Sequence, residues 1–152
     1  MVGRRRRFAL SDTVQQIIGG FLLAGPFVVT EEVWVLAESM SWIQALLTVI
    51  IVFTIGYGAL YKADNRNPDR ETEVGGIPVR FISLIAVSYL SVIILAIAFD
   101  APATFLGETG EAVIVPLVGV LVDPALIVTT LKAVSIGSVF SVIGAATADS
   151  IY

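Results

Sequence analysis

The chain contains no cysteine and no histidine. Disulfides, thiol catalysis, iron–sulfur clusters and histidine-held metals or haem are thereby excluded. Charge is scarce as well: Asp, Glu, Lys and Arg make up 14% of the 152 residues, against roughly 25% in an ordinary soluble domain. Bases are fewest, nine against thirteen acids, for a net charge of −4. That acidic balance suits a high-salt setting. In place of charge, 57% of the chain is hydrophobic, and the charges clump so that long uncharged runs separate them.

A run of about 18 or more apolar residues crosses a bilayer core about 30 Å thick as a helix. Four runs qualify, about 14–37, 42–61, 79–99 and 125–148. Helices are required because backbone polar groups in lipid must be satisfied within the segment. Asp123 followed by Pro124 makes a sound start for the last run, an N-cap with proline at the first helical position. The expected fold is an all-α membrane protein, one four-helix transmembrane bundle filling residues 1–152. Between spans three and four, the apolar stretch 112–122 is too short to span and contains Pro116 and Gly119. It is expected to form an interfacial or re-entrant helix, the alternative being a fifth crossing.

Lys and Arg concentrate on the cytoplasmic side of membrane proteins. With four spans, Arg4, Arg5, Arg6, Arg7, Lys62, Arg66, Arg70 and Arg80 share one side, leaving only Lys132 elsewhere. The other side carries Glu38, Asp100, Glu108, Glu111 and Asp123. Both termini are therefore expected in the cytoplasm of a multi-pass cell-membrane protein. The opening RRRRFAL resembles an export signal, but no A-x-A cleavage site follows and the apolar run is long, which favours an uncleaved first helix. The Arg4–Arg7 cluster serves orientation and anionic lipid better than nucleic acid. The mixed-charge loop Lys62–Gly76 reads as a solvated connector, since its spacing matches no calcium-binding loop.

Against this background the stretch PFVVTEEVW, Pro26–Trp34, stands out. Counted along a straight helix from Glu38, Glu31 and Glu32 lie roughly 10 Å below the surface, and Lys132, counted from Pro124, roughly 12 Å. Ionisable groups inside a bilayer cost at least about 2.5–3.5 kcal/mol each and usually mark function. A contact between Lys132 and Glu31 or Glu32 is expected, forming an ion- or proton-binding site with Thr30, Thr129 and Gln44. Thr48, Ser88, Ser91 and Thr130 fall at similar depth. Alternatively, the charges form a structural ion pair, and the hydroxyls only bond their own helices. Pro26 removes a backbone hydrogen bond near Leu22 and, helped by Gly19, Gly20 and Gly25, is expected to bend span one.

Ala133, Gly137, Ser141 and Ala145 repeat a small residue every fourth position, flanked by Gly144 and Ala148. Such a face admits close helix approach, either to span one through Gly20 and Ala24 or to a second copy. Gly56 and Gly58 give span two weaker versions. Trp34, Trp42 and Tyr152 fall near interfaces, where aromatic anchors belong.

The stretch Pro26-x-x-x-Thr30-x-Glu32-Val33-Trp34 resembles a motif in the first span of small prokaryotic integral membrane proteins, domain-of-unknown-function family 2391. GAATADSIY resembles that family's small-residue-rich end less specifically. The resemblance implies a membrane-embedded helical protein and favours Glu32 over Glu31. It brings no substrate.

The expected function is a proton- or cation-conducting channel or transporter in the lipid bilayer, acting as a homo-oligomer because four helices are few for a pore. The alternative is a non-transporting scaffold, sensor or assembly factor. No nucleophile motif supports an enzyme, no cofactor is expected, and whether a metal binds is left open.

Overall fold

The computed structural model describes residues 8–63, 65–107, 113–115 and 120–151. Arg4–Arg7, Glu108, Glu111, Pro116, Gly119 and Tyr152 lie outside the described residues. Helix α1 (Leu10–Val28) is followed by the short α2 (Glu31–Ser39) and by α3 (Trp42–Tyr57), which widens into a π-helical segment, Gly58–Ala63. A connector with one 3₁₀ turn (Pro68–Arg70) and a small hairpin, β1 (Glu73–Val74) and β2 (Ile77–Pro78), leads to α4 (Val79–Ala98). Then come α5 (Ala101–Leu106), a second hairpin of β3 (Val113–Val115) and β4 (Val120–Val122), and α6 (Pro124–Ile151).

Among the described residues three helices are long and apolar enough to cross a membrane: Trp42–Ala63, Val79–Ala98 and Pro124–Ile151. The pair α1 and α2 makes a fourth candidate if taken as one span, but it is bent by 80°, so residues 14–37 form two helices and not one. The expected interfacial helix at 112–122 is likewise corrected. The described parts of that stretch pair as antiparallel strands, Val113 with Val122 and Val115 with Val120. Runs rich in β-branched residues fit a pleated ladder better than a helix. The short helix of this region lies earlier, at α5.

The break between α1 and α2 explains the motif around Pro26. Proline has no N–H, so the Leu22 carbonyl loses its helical donor. Helix α1 continues to Val28, and the turn falls at Val29 and Thr30. There the Thr30 hydroxyl donates to the carbonyls of Pro26 (3.1 Å) and Phe27 (2.8 Å). The Trp34 indole N–H reaches back to the Val28 carbonyl at 3.0 Å. Side chains thus satisfy carbonyls that a helix end leaves open. Trp34 is buried against Phe105 instead of anchoring at an interface. We expect Thr30→Val to destabilise the fold by about 1 kcal/mol, the net worth of a typical hydrogen bond, read by thermal unfolding in detergent.

Helix α6 is central and packs against α1, α2, α3 and α4. Its small-residue face is used within the chain, not kept for a second copy. Gly144 meets Gly19 backbone to backbone, Ser141 donates to the Gly20 carbonyl at 3.1 Å, and Gly137 receives Val92 of α4. Without a hydrophobic drive between helices in lipid, such close packing is what holds them. One core cluster gathers Ala24, Val28, Trp34, Val92 and Ala133. The second joins Val52, Leu60, Leu84, Val142 and Ala145. Helix α3 leaves Ile43, Leu46, Leu47, Ile50 and Ile51 uncovered by protein, an apolar face suited to lipid chains.

A buried charge cluster as the candidate functional site

The helix directions bring the start of α1, the π-helical end of α3, the start of α4 and the end of α6 together. At that end five charged groups interlock. Arg80, on the first turn of α4, uses all three guanidinium nitrogens. Nε donates to Glu71 (3.1 Å), one terminal nitrogen to Asp149 (2.7 Å) and the other to Asp12 (3.0 Å). Its guanidinium also lies 5.3 Å from the Phe8 ring centroid. Asp149 accepts from Arg80 on one oxygen and from Arg66 on the other at 2.6 Å. Arg66 additionally donates to the Asp149 main-chain carbonyl at 3.0 Å.

Neutral groups complete the shell. The Gln16 amide donates to Asp149 at 3.3 Å, and the Ser83 hydroxyl donates to Gln16 at 2.7 Å. The Tyr61 hydroxyl, turned inward by the π-helical segment, donates to Glu71 at 2.9 Å. Gln16 is 0% exposed, Asp149 3% and Arg80 6%, so these charges are largely out of water. A carboxylate in the last turn of a helix opposes the helix dipole, whereas an arginine there complements it. Arg66 serves both needs, neutralising Asp149 and satisfying an end carbonyl. Asp12 is placed favourably, in the first turn of α1, where it also accepts the Ala9 N–H at 2.9 Å. Buried pairs hold only when nearly every donor and acceptor is used, and Arg80 and Asp149 meet that condition, each bonded through every nitrogen or oxygen of its charged group.

The connector Lys62–Gly76 is therefore more than a solvated loop, because it delivers Arg66 and Glu71 to the cluster. A sequence signal for the site existed in part. Asp149 continues the every-fourth-residue face of Ala133, Gly137, Ser141 and Ala145, and Gln16 stands one turn before Gly20. Both extend faces that helix packing turns inward.

The residues expected to form a site lie toward the opposite end and do not converge. Glu31 and Glu32 occupy the exposed first turn of α2, beside a shallow groove with Val35, Leu36 and Ser39. Helix N-termini favour acids there without any counter-ion. The Lys132 ammonium makes no ion pair with either. It donates to the Met40 carbonyl at 2.6 Å and stands 5.3 Å from the Trp42 ring centroid. Lys132 thereby caps α2 and reaches the level where α3 begins. The depth count from straight helices fails because α2 turns aside.

Gln44 closes a capping box with Ser41, accepting its N–H at 2.8 Å, and Thr48 donates to the Gln44 carbonyl. Thr129 and Thr130 are half-buried on α6. Ser88 and Ser91 are buried between helices instead of lining an outward pocket. Ser88 bonds its own helix at the Leu84 carbonyl. Among the described residues no group of three or more acids is arranged to hold a metal ion.

Apolar helices long enough to span, packed around buried ion pairs and leaving apolar faces uncovered, define an integral membrane protein of the helical-bundle class. Residues 4–101 match the family model described as "Putative integral membrane protein (DUF2391)", and the chain belongs to that family. The matched segment holds the Pro26–Trp34 corner, Asp12, Glu71 and Arg80, and ends before Lys132 and Asp149. No curated protein and no solved structure matches the chain.

Proposed function

We propose that this membrane protein moves protons or small cations, with Asp149 as the acidic group of the path. The observation that carries the reading is Asp149 itself, a carboxylate 3% exposed between membrane-crossing helices. Acids buried among membrane-crossing helices are costly and commonly belong to ion pathways or proton relays, and this one stands at the end of the bundle, in the last turn of α6. On α6, Ser141, Ser138, Ser135 and Lys132 follow one another at three-residue spacing, and the small Ala145 lies between Ser141 and Asp149. Helix α4 adds Ser88 and Ser91, and the Ser91 hydroxyl is buried without a hydrogen-bond partner. Such a hydroxyl is a natural contact for a passing water or ion. The path lies inside one protomer, so an assembly of copies is not required for it. The reading is non-enzymatic. On the reading that the arginine excess marks the cytoplasmic face, the charge cluster lies there, and its saturated Arg80 closes the path in the resting arrangement.

A second reading, a non-transporting scaffold, draws support from that same saturation. Arg80 has no nitrogen left over, and Ser138 bonds its own helix at the Val134 carbonyl. Proteoliposomes under an imposed pH gradient separate the two. The first reading expects proton or cation flux that Asp149→Asn lowers by about tenfold or more, within the usual contribution of a positioned proton-transfer group, while Glu32→Gln leaves it intact. Absence of flux in the unaltered protein, under both a pH gradient and a potassium diffusion potential, would favour the scaffold.

A further inference from the structure

At the opposite end from the charge cluster, α3 and α6 run side by side and leave a groove of about 260 Å³ between them. Ala45, Leu46 and Val49 line it from α3, and Val128 and Leu131 from α6. Leu46 and Leu131 are exposed at its rim, so the groove opens sideways, toward where lipid chains lie.

Trp42, Lys132 and Ser135 complete the lining. An ammonium offers three donors. One is spent on the Met40 carbonyl, the Trp42 face lies close, and no carboxylate comes within ion-pair distance among the described residues. Glu31 and Glu32 face a different groove. Lys132 is also the lone base outside the group comprising Arg4–Arg7, Lys62, Arg66, Arg70 and Arg80. A half-buried cation with no carboxylate in ion-pair distance among the described residues, beside an apolar trough, is complementary to an anionic amphiphile.

We propose that this groove is a binding site for an anionic membrane phospholipid, with one acyl chain along Ala45 and Val49 and the headgroup phosphate on the Lys132 ammonium. Juxtamembrane lysines favour anionic lipid, and an apolar pocket with a few placed polar groups is the usual build of a ligand site. Lys132 also ends the polar stripe of α6, but lipid binding in this groove does not require ion movement and would stand if no flux were found.

The test uses the full chain purified in neutral detergent and stripped of lipid. Phosphatidylglycerol or phosphatidylcholine is then added, and bound lipid is counted by native mass spectrometry alongside the melting temperature. The expected result is one retained phosphatidylglycerol, preferred roughly five-fold over phosphatidylcholine, the scale of one lysine at an anionic surface, with a raised melting temperature. Lys132→Gln should bring the two lipids to parity, while Lys132→Arg keeps the preference and guards against a folding artefact. Ala45→Phe, which fills the trough and leaves the ammonium in place, should reduce retention of both lipids. Lys62→Gln, at the other end, should leave the preference unchanged. Equal retention by the unaltered protein, a preference that survives Lys132→Gln, or oleate binding where phosphatidylglycerol does not would each overturn the proposal.

Discussion

Replacing Arg80 by alanine is expected to destabilise the folded bundle by about 3–5 kcal/mol, the usual cost of removing one partner from a buried ion pair. The side chain stands between Asp149, Glu71 and Asp12, whose side chains are 0%, 9% and 20% exposed. Its loss leaves Asp149 with Arg66 and Gln16 alone, and Glu71 with Tyr61. The Asp12 arm contributes least, because water reaches it and screens the pair. Arg80→Lys should recover only part of the loss, since one compact ammonium cannot replace a planar fork directed at three carboxylates. Equilibrium unfolding in mixed micelles measures the effect. A double-mutant cycle with Asp149→Ala makes it specific: the double variant should cost clearly less than the two single changes added together. A cost below about 1 kcal/mol for Arg80→Ala, the range of solvent-exposed pairs, would mean that the carboxylates are hydrated.

The second large effect is expected at the crossing of α1 and α6. A methyl carbon on Gly144 would collide with the Gly19 carbonyl oxygen, and one on Gly19 would collide with the Gly144 carbonyl. Main chain cannot rotate away as a flexible side chain would, so the helices must separate. Gly144→Val should therefore cost at least about 1–3 kcal/mol, the usual range for overpacking. Separation would also stretch the Ser141 bond to the Gly20 carbonyl and pull Gln16 from Asp149, transmitting the damage to the charge cluster. Gly25 is the internal control. Nothing lies within 4 Å of a methyl carbon placed there. Gly25→Ala should be neutral or stabilising by up to about 1 kcal/mol, as for glycine in a helix interior. Melting temperatures of the two variants in the same detergent, falling for one and holding for the other, check the argument.

The spans were legible because hydropathy and backbone satisfaction in lipid leave few alternatives. Three long apolar helices lie close to the runs that composition marks, and Asp123 and Pro124 start α6 as their chemistry suggests, with the Ala125 N–H on the Asp123 carboxylate at 2.8 Å. The special character of PFVVTEEVW was legible too, but its meaning was not. Its proline, threonine and tryptophan build a corner, and the glutamates are carried to the surface by it. Depth counted along the chain assumes a straight helix, and a bend of 80° removes that assumption together with the expected meeting of Glu32 and Lys132.

The charge cluster escaped for a different reason. Gln16 and Asp149 are 133 residues apart, Arg66 and Asp149 are 83 apart, and Arg80 and Asp149 are 69 apart. Each residue taken alone looks like a span flank or a loop charge. Composition and periodicity by themselves determined that this chain is membrane-embedded, helical, and packed through small residues on its last helix. Only the tertiary structure decided which charges are buried and with whom, because burial of a charge depends on what other segments bring to the same point, and that information is not local to any stretch of sequence.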